Sequence, residues 1–489
     1  MTLGALNLKT PSRRYLLFWC AFWLFVFGFR MFVFLKFPLV FYPDATYQVL
    51  EPAHRLAFGY GVVTWEWREG VRSWVLPAME AILMRLTAWM GPGSSGYLYA
   101  TGVVLSLLSL TSVWFGYAWA KRIAGECAGI IAASAIGIHF WMLVMASQSF
   151  SEVVATSFLL PGLYFGYFSE FPKQKWKLFF AGLLLGAAIG LRIQLLPAAC
   201  IACLWFCYVR RRQGASTIVA GFLLSFLVFG LADLFTQKLP FYSYFEYFRV
   251  NILEHKASGY GTSPWYYYLK GLLLLLGPAV LLLWQGARRS PFLAAIVLSV
   301  FLSSSFIGHK ELRFIYPTLP IFLTLAAIGA ADYATMLSKR IKRSTPARLE
   351  IWVGTGFLAL LFAFAAFAGQ RHYGKQIKST EWIRPAYIFL SQDSNVCGLG
   401  LLQIPWYESG GEVYLHRNVP VVPLDSPQDL DRRSAYFNNF FTTANDRDFA
   451  GSFHRLRCWQ GHCLYQRPGG CSVPPEKDTI NGYLRENGE

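Results

Sequence analysis

Trp74-Val75-Leu76-Pro77-Ala78-Met79-Glu80-Ala81-Ile82-Leu83-Met84-Arg85-Leu86-Thr87-Ala88-Trp89-Met90 is the stretch on which the fold turns. It is apolar enough to enter a membrane, yet it carries Pro77, Glu80 and Arg85. A spanning helix needs roughly 20 predominantly apolar residues. On that measure, runs near 15–37, 97–120, 123–145, 153–170, 177–192, 193–209, 214–236, 265–285, 291–307, 313–335 and 351–368 read as spans. Arg192 and Gln194 interrupt 177–209, which is too long for one crossing, so two short spans turn near Arg192 and Pro197. Basic clusters sit between the runs: Lys121-Arg122, Lys173 to Lys177, Arg210-Arg211-Arg212, Arg288-Arg289 and Lys339 to Arg348. Cytoplasmic loops are enriched in Lys and Arg. With Lys9, Arg13 and Arg14 in the cytoplasm, all five clusters stay there only if 74–90 does not cross. The segment therefore reads as a re-entrant or juxtamembrane helix, leaving about eleven spans with the N-terminus in and the C-terminus out.

Composition agrees with an α-helical polytopic membrane protein. Of 489 residues only 15% are charged, against 55% hydrophobic and 17% aromatic. Soluble domains carry about 25% charged residues, so this chain has too few charges to cover a water-exposed surface, and disorder and coiled coil are excluded as well. The balance of 44 Lys+Arg against 27 Asp+Glu gives a formal +17. These cations lie between apolar runs rather than along one face, so they orient the chain and do not mark a nucleic-acid surface. The apolar run after Arg14 is too long for a signal-peptide core and is expected to stay as a span.

The chain divides into a transmembrane domain, 1–369, and a small extramembrane α/β domain, 370–489, where Pro, Gly, Asn, Asp and Arg rise and long apolar runs vanish. Residues 38–95 form the first external loop and the re-entrant helix. Cys397, Cys458, Cys463 and Cys471 lie in the tail. On the oxidising side a disulfide is favoured over zinc, although His454 and His462 are nearby as potential ligands.

Polar and aromatic oddities collect on the outer face of this topology. Pro43 makes a sharp exit from the first span and sets Asp44 near the interface, where a carboxylate must be hydrated, paired or used. A helix from Asp44 to Ala57 aligns Asp44, Gln48 and Glu51 at i, i+4 and i+7; the spacing fits equally an aspartate capping a surface helix. Trp65, Glu66 and Trp67 resemble an interfacial belt carrying one acid. Arg72-Ser73 offers a cation at a helix start, which favours an anion. The loop 240–268, with Tyr260 and Trp265, reads as a membrane anchor or a platform for a sugar ring. His309-Lys310-Glu311-Leu312-Arg313 places four ionisable groups at a helix mouth, costly unless they pair or meet a charged ligand such as a polyprenyl phosphate.

These motifs, in this order and spacing, resemble glycosyltransferase family 22, the GT-C mannosyltransferases that use polyprenyl-phosphate-linked mannose. The resemblance rests on Tyr42-Pro43-Asp44 through Gln48, Glu51 and His54, on Phe58-Gly59-Tyr60-Gly61, Thr64-Trp65-Glu66-Trp67 and Arg72-Ser73, on Tyr260 to Tyr266, and on His309 to Pro317. It is strongest toward the branch that adds the third mannose of a GPI anchor. The family's His-Pro-Asp-Glu is here Tyr42-Pro43-Asp44-Ala45, Ser263 stands where a histidine often precedes Pro-Trp, and Ser149-Phe150-Ser151-Glu152 replaces a Thr-Asn pattern.

The resemblance implies a GT-C fold and an inverting transfer of mannose to a glycan or glycolipid acceptor. Asp44 would be the general base, and His309, Lys310, Arg313 and Arg72 would hold the donor phosphate. Gln48, Glu51, His54, Trp65, Glu66, Arg192, Tyr260 and Trp265 would shape the substrate pocket. No cofactor and no metal are called for, since Lys and Arg supply positive charge. The partners are the lipid-linked donor, the acceptor and membrane lipid, and the oligomeric state is not legible. Competing readings are a GT-C enzyme with another lipid-linked sugar, a non-enzymatic lipid or sugar transporter, and a catalytically silent relative. No Asn-x-Ser/Thr sequence and no ER-retrieval ending is present. With the short chain, this favours a bacterial inner membrane with a periplasmic site, the ER membrane with a lumenal site being the alternative.

Overall fold

The apolar runs become helices in the computed structural model, which describes residues 13–37, 40, 42–91, 93–209, 212–340, 346–443 and 453–489. Lys9, Phe41, Arg210-Arg211 and residues 341–345 of the last basic cluster lie outside the described residues. Six helical stretches among those described are long and apolar enough to cross a membrane: Tyr15–Lys36, Ser95–Ala124, Gln213–Gln237, Tyr267–Arg289, Leu312–Arg340 and Ile351–Arg371. Shorter apolar helices fill other expected runs, among them Glu126–Ile138, Ile193–Val209 and Pro291–Phe306. The run expected at 123–145 is broken at His139, whose extended backbone ends one helix and whose ring accepts from the Trp141 N–H to open the next. Gly277-Pro278 likewise breaks the run at 265–285 into Tyr267–Leu276 and Val280–Arg289. The segment 74–90 is a 13-residue helix, Val75–Thr87. At about 1.5 Å per residue it reaches about 20 Å, too short for a hydrocarbon core of about 30 Å.

Leu319–Arg340 sits at the centre, buried throughout from Leu319 to Ala331. It crosses Val280–Arg289 so closely that a Cβ at Gly286 would lie 2.0 Å from the Leu325 carbonyl and one at Gly329 2.2 Å from that of Leu282. Small residues are what permit such contact where lipid removes the hydrophobic drive between helices.

The tail begins inside the last long helix, Pro346–Thr380, which runs through the boundary expected at 369 because its helical pattern is not interrupted there. Beyond it lie the helix Ile383–Ser391 and five strands: β1 (Leu399–Leu402), β2 (Val421–Leu424), β3 (Asn439–Thr442), β4 (His454–Trp459) and β5 (His462–Gln466). Their order is β2-β1-β3-β5-β4, with β1 parallel to both neighbours and the β4–β5 hairpin antiparallel. The three strands that pair in parallel, β1, β2 and β3, are buried on both faces. Leu402, Val422, Leu424 and Phe440 pack with Leu430 beneath the sheet, whereas Leu399, Leu401, Val421 and Phe441 point the other way. Cys397 pairs with Cys471 and Cys458 with Cys463, so the tail cysteines are disulfides.

The upper sheet face shares one apolar cluster with the first loop, in which Tyr47, Leu50, Ala53, Val62 and Tyr97 pack with Trp382, Tyr387 and Val413. At its centre Glu51 is fully buried, its two oxygens accepting from the Val62 N–H and the Val413 N–H at 2.8 Å each. Gly411 makes room for it, since a Cβ there would lie 2.1 Å from Glu51 Oε1. Truncating Glu51 orphans two buried donors, each worth about 1–3 kcal/mol. Glu51→Ala is therefore expected to cost about 2–4 kcal/mol and to release the tail to protease at temperatures where the wild type resists. A melting curve and cleavage pattern identical to wild type would refute this role for Glu51.

Candidate active site

Proline at the first helical position starts a helix at Pro43–Ala45 where the missing N–H costs nothing. The chain continues through a wide π turn, Thr46–Leu50, into Glu51–Phe58. The expected helix is thus present, but the π turn holds an extra residue and shifts the phase of the helical turns beyond it. Asp44 and Gln48 face a cavity of about 460 Å³, while Glu51 turns away from it into the joint with the tail. His54 turns the same way: Nε2 meets His416 Nδ1 at 3.0 Å and Nδ1 meets the Tyr60 carbonyl at 3.0 Å. Neither Glu51 nor His54 lines the cavity, so the expectation that they shape a substrate pocket gives way to a structural role.

Four segments of the chain converge on Arg313. Its Nε donates to Glu311 Oε2 at 2.8 Å, and Nη2 donates to Glu311 Oε1 at 3.0 Å and to Asp44 Oδ2. Its Nη1 donates to Glu152 Oε1 at 3.3 Å, and Glu152 also holds Arg192 at 3.1 Å. Arg313 is 3% exposed and Glu152 1%, so these pairs are shielded from water, whereas Asp44 remains 31% exposed and opens into the cavity. Loss of bulk water pushes the Asp44 carboxyl up to about 6, Arg313 pulling against that shift and Glu311 and Glu66 adding to it. Burial also opposes ionisation of Glu311, but Arg313 and His309 outweigh it and hold its carboxyl below the usual range. His309 contributes Nε2 to Glu311 at 3.2 Å and Nδ1 to the Gly261 carbonyl at 2.9 Å, and the Glu311 contact raises its pKa above the ordinary value.

Of the residues singled out in the sequence, Asp44, Gln48, Trp65, Glu66, Arg72, Arg192, Tyr260, His309 and Arg313 line this one cavity. Arg72 pairs with Glu66 at 2.6 Å. The Nε atoms of Arg72 and Arg192 are buried without a hydrogen-bond partner among the described residues. Lys310 is not part of the lining: its ammonium is 2.9 Å from the Ser263 carbonyl and also donates to the carbonyls of Ile307 and Gly308. Its expected place on the donor phosphate is therefore not the one it occupies, because backbone acceptors at the helix end capture it first. Trp265 is 72% exposed and stands outside the cavity, in the manner of an interfacial anchor.

Glu311 and Glu152, which orient the arginines, were not assigned from sequence. Each had a readable signal, an acid at a helix mouth that needs a cation. Trp406 and Tyr407 of the tail also line the cavity, and nothing in their local sequence marks them. Among the described residues no group of three or more His, Cys, Asp or Glu is placed to hold a metal ion.

A family model described as the Alg9-like mannosyltransferase family matches residues 21–416. GPI mannosyltransferase 3 of Yarrowia lipolytica is 29% identical over 398 residues, which cover 78% of this chain and 72% of the relative. GPI alpha-1,2-mannosyltransferase 3 of Homo sapiens is 24% identical over 420 residues, covering 81% and 70%. Among solved structures, ArnT from Cupriavidus metallidurans bound to undecaprenyl phosphate shares the fold, with a TM-score of 0.60 at 12% identity over 95% of this chain and 100% of that one. The chain belongs to the Alg9-like mannosyltransferase family and is a multi-pass membrane glycosyltransferase of GT-C fold.

Proposed function

We propose that the protein transfers mannose from a polyprenyl-phosphate donor to a hydroxyl of a glycan or glycolipid acceptor, with inversion, on the non-cytoplasmic face. The observation that carries this reading is the meeting of Asp44 with Arg313 in one cavity, 269 positions apart in the chain. The acceptor oxygen attacks the anomeric carbon, the bond from that carbon to the phosphate oxygen breaks, and polyprenyl phosphate departs. Asp44 takes the hydroxyl proton, a task for which a carboxylate poised near 6 is suited. Arg313, with the unpaired Nε atoms of Arg72 and Arg192, neutralises the charge growing on the phosphate. His309, whose pKa the Glu311 contact raises, stands at the same wall with its two ring nitrogens engaged by Glu311 and the Gly261 carbonyl.

About eleven spans place the loop 38–73, the Arg313 segment and the tail on one side of the membrane. The two disulfides support an oxidising compartment. The absence of an Asn-x-Ser/Thr sequence favours the bacterial periplasm. The similarity to yeast and human proteins of the GPI pathway favours the ER lumen. In a bacterium the acceptor is a cell-surface glycan or glycolipid rather than a GPI precursor.

Asp44→Asn, assayed with a short-chain polyprenyl-phosphate mannose and mannose-terminated acceptors in nanodiscs, should lower kcat by about 10²–10⁴-fold with little change in donor affinity. Transfer at the wild-type rate would remove Asp44 as the base. Because the base must be ionised, wild-type kcat/KM should fall about tenfold per pH unit below about 6 and level off above it. A flat profile between pH 5 and 7 would contradict the assignment. For topology, a membrane-impermeant maleimide should label Lys477→Cys in intact cells or sealed vesicles of outward orientation, and Lys175→Cys only after permeabilisation. The reverse pattern overturns the proposed sidedness.

A further inference from the structure

We propose that the tail domain supplies the acceptor subsite: the aromatic corner made by Trp406 and Tyr407 is the surface on which a pyranose ring of the acceptor glycan stacks. This rests on the mannosyltransferase reading and names where acceptor choice resides. The turn that carries both residues, Trp406–Glu408, follows β1 closely and enters the cavity that holds Asp44.

Trp406 is held in place through its carbonyl and its indole N–H. Its carbonyl accepts from the Tyr47 hydroxyl at 2.6 Å and from Ser409 Oγ at 2.7 Å, and its indole N–H donates to Glu489. The Tyr47 ring meets it edge-on at 4.9 Å. What remains for a ligand is an apolar ring surface. Tyr407 stands almost perpendicular beside it, at 87° and 5.7 Å between ring centres. Tyr407 is 45% exposed, and its hydroxyl makes no hydrogen bond to any described residue.

A fixed aromatic corner with one free phenol matches a sugar ring, whose C–H edges seek a π face while its hydroxyls seek donors and acceptors. It does not match a phosphate. The same geometry connects the corner to the reaction. Tyr47, which holds Trp406, directly precedes Gln48, and Gln48 lies one turn from Asp44 with an amide that bonds to no described residue. A ring stacked on the corner can therefore present a hydroxyl to the base while the amide engages another.

The test uses the full-length protein in nanodiscs and a soluble α-linked trimannoside, titrated by saturation-transfer NMR so that no turnover is needed. The wild type should bind it. Tyr407→Ala should weaken binding about tenfold, and Tyr407→Phe, which keeps the ring, should retain most of it. A melting curve equal to wild type shows that the alanine variant is folded. In the transfer assay, Tyr407→Ala should raise the acceptor KM about tenfold and leave the donor KM unchanged. Trimannoside binding that is absent from the wild type, or equal in Tyr407→Ala, overturns the subsite. Transfer by Tyr407→Ala with an unchanged acceptor KM overturns it too while leaving the mannosyltransferase reading standing. Ring-dependent binding without any transfer by the wild type upholds the subsite and sinks that reading instead.

Discussion

A guanidinium surrounded by three carboxylates holds the centre of this molecule together. Arg313 is shielded from water, and an unpaired cation there would be prohibitively costly. Its partners come from the end of the first span (Asp44), the start of another helix (Glu152) and its own loop (Glu311). Glu152 extends the network to Arg192. The ion network ties these segments together at one end of the helices, where the cavity opens.

The network is closed on itself but not saturated. Asp44 keeps an open edge to the cavity, and Arg72 and Arg192 keep unpaired Nε donors. Buried polar groups are normally satisfied, and those left unsatisfied in a cavity are where a ligand gains most from binding. Loss of bulk water, with Glu311 and Glu66 adding to it, keeps the proton affinity of Asp44 above that of an ordinary aspartate despite the adjacent Arg313. Pairing and incomplete satisfaction thus arise from one cluster of charges, and its seclusion from water raises the basicity of Asp44.

A second constraint acts at the joint between the first loop and the tail. Glu51 bonds backbone N–H groups from both, beneath a cluster of apolar side chains that neither part can bury alone. The sheet of the tail is therefore seated against the helix that carries Asp44, and the turn after β1 reaches the cavity as a consequence. The tail is part of the wall of the site and not a separate appendage.

The run of apolar helices and the place of Asp44 directly after Pro43 were legible in the sequence, because hydropathy and the proline are local properties. Nine of the singled-out site residues, Arg72, Arg192 and Tyr260 among them, do meet in one cavity. The roles of Glu51, His54 and Lys310 were not legible. A π turn rotates Glu51 and His54 out of phase with Asp44, and backbone carbonyls at a helix end take up the Lys310 ammonium. The membership of Trp406 and Tyr407 in the cavity is equally invisible locally, because it depends on how the tail docks. Sequence alone determined which residues must be paired, buried or exposed, since those demands follow from each side chain's chemistry. Only the tertiary structure decided which partner each one found, because a hydrogen bond or ion pair is settled by distance in space, and Arg313 and Asp44 are neighbours only after the chain has folded.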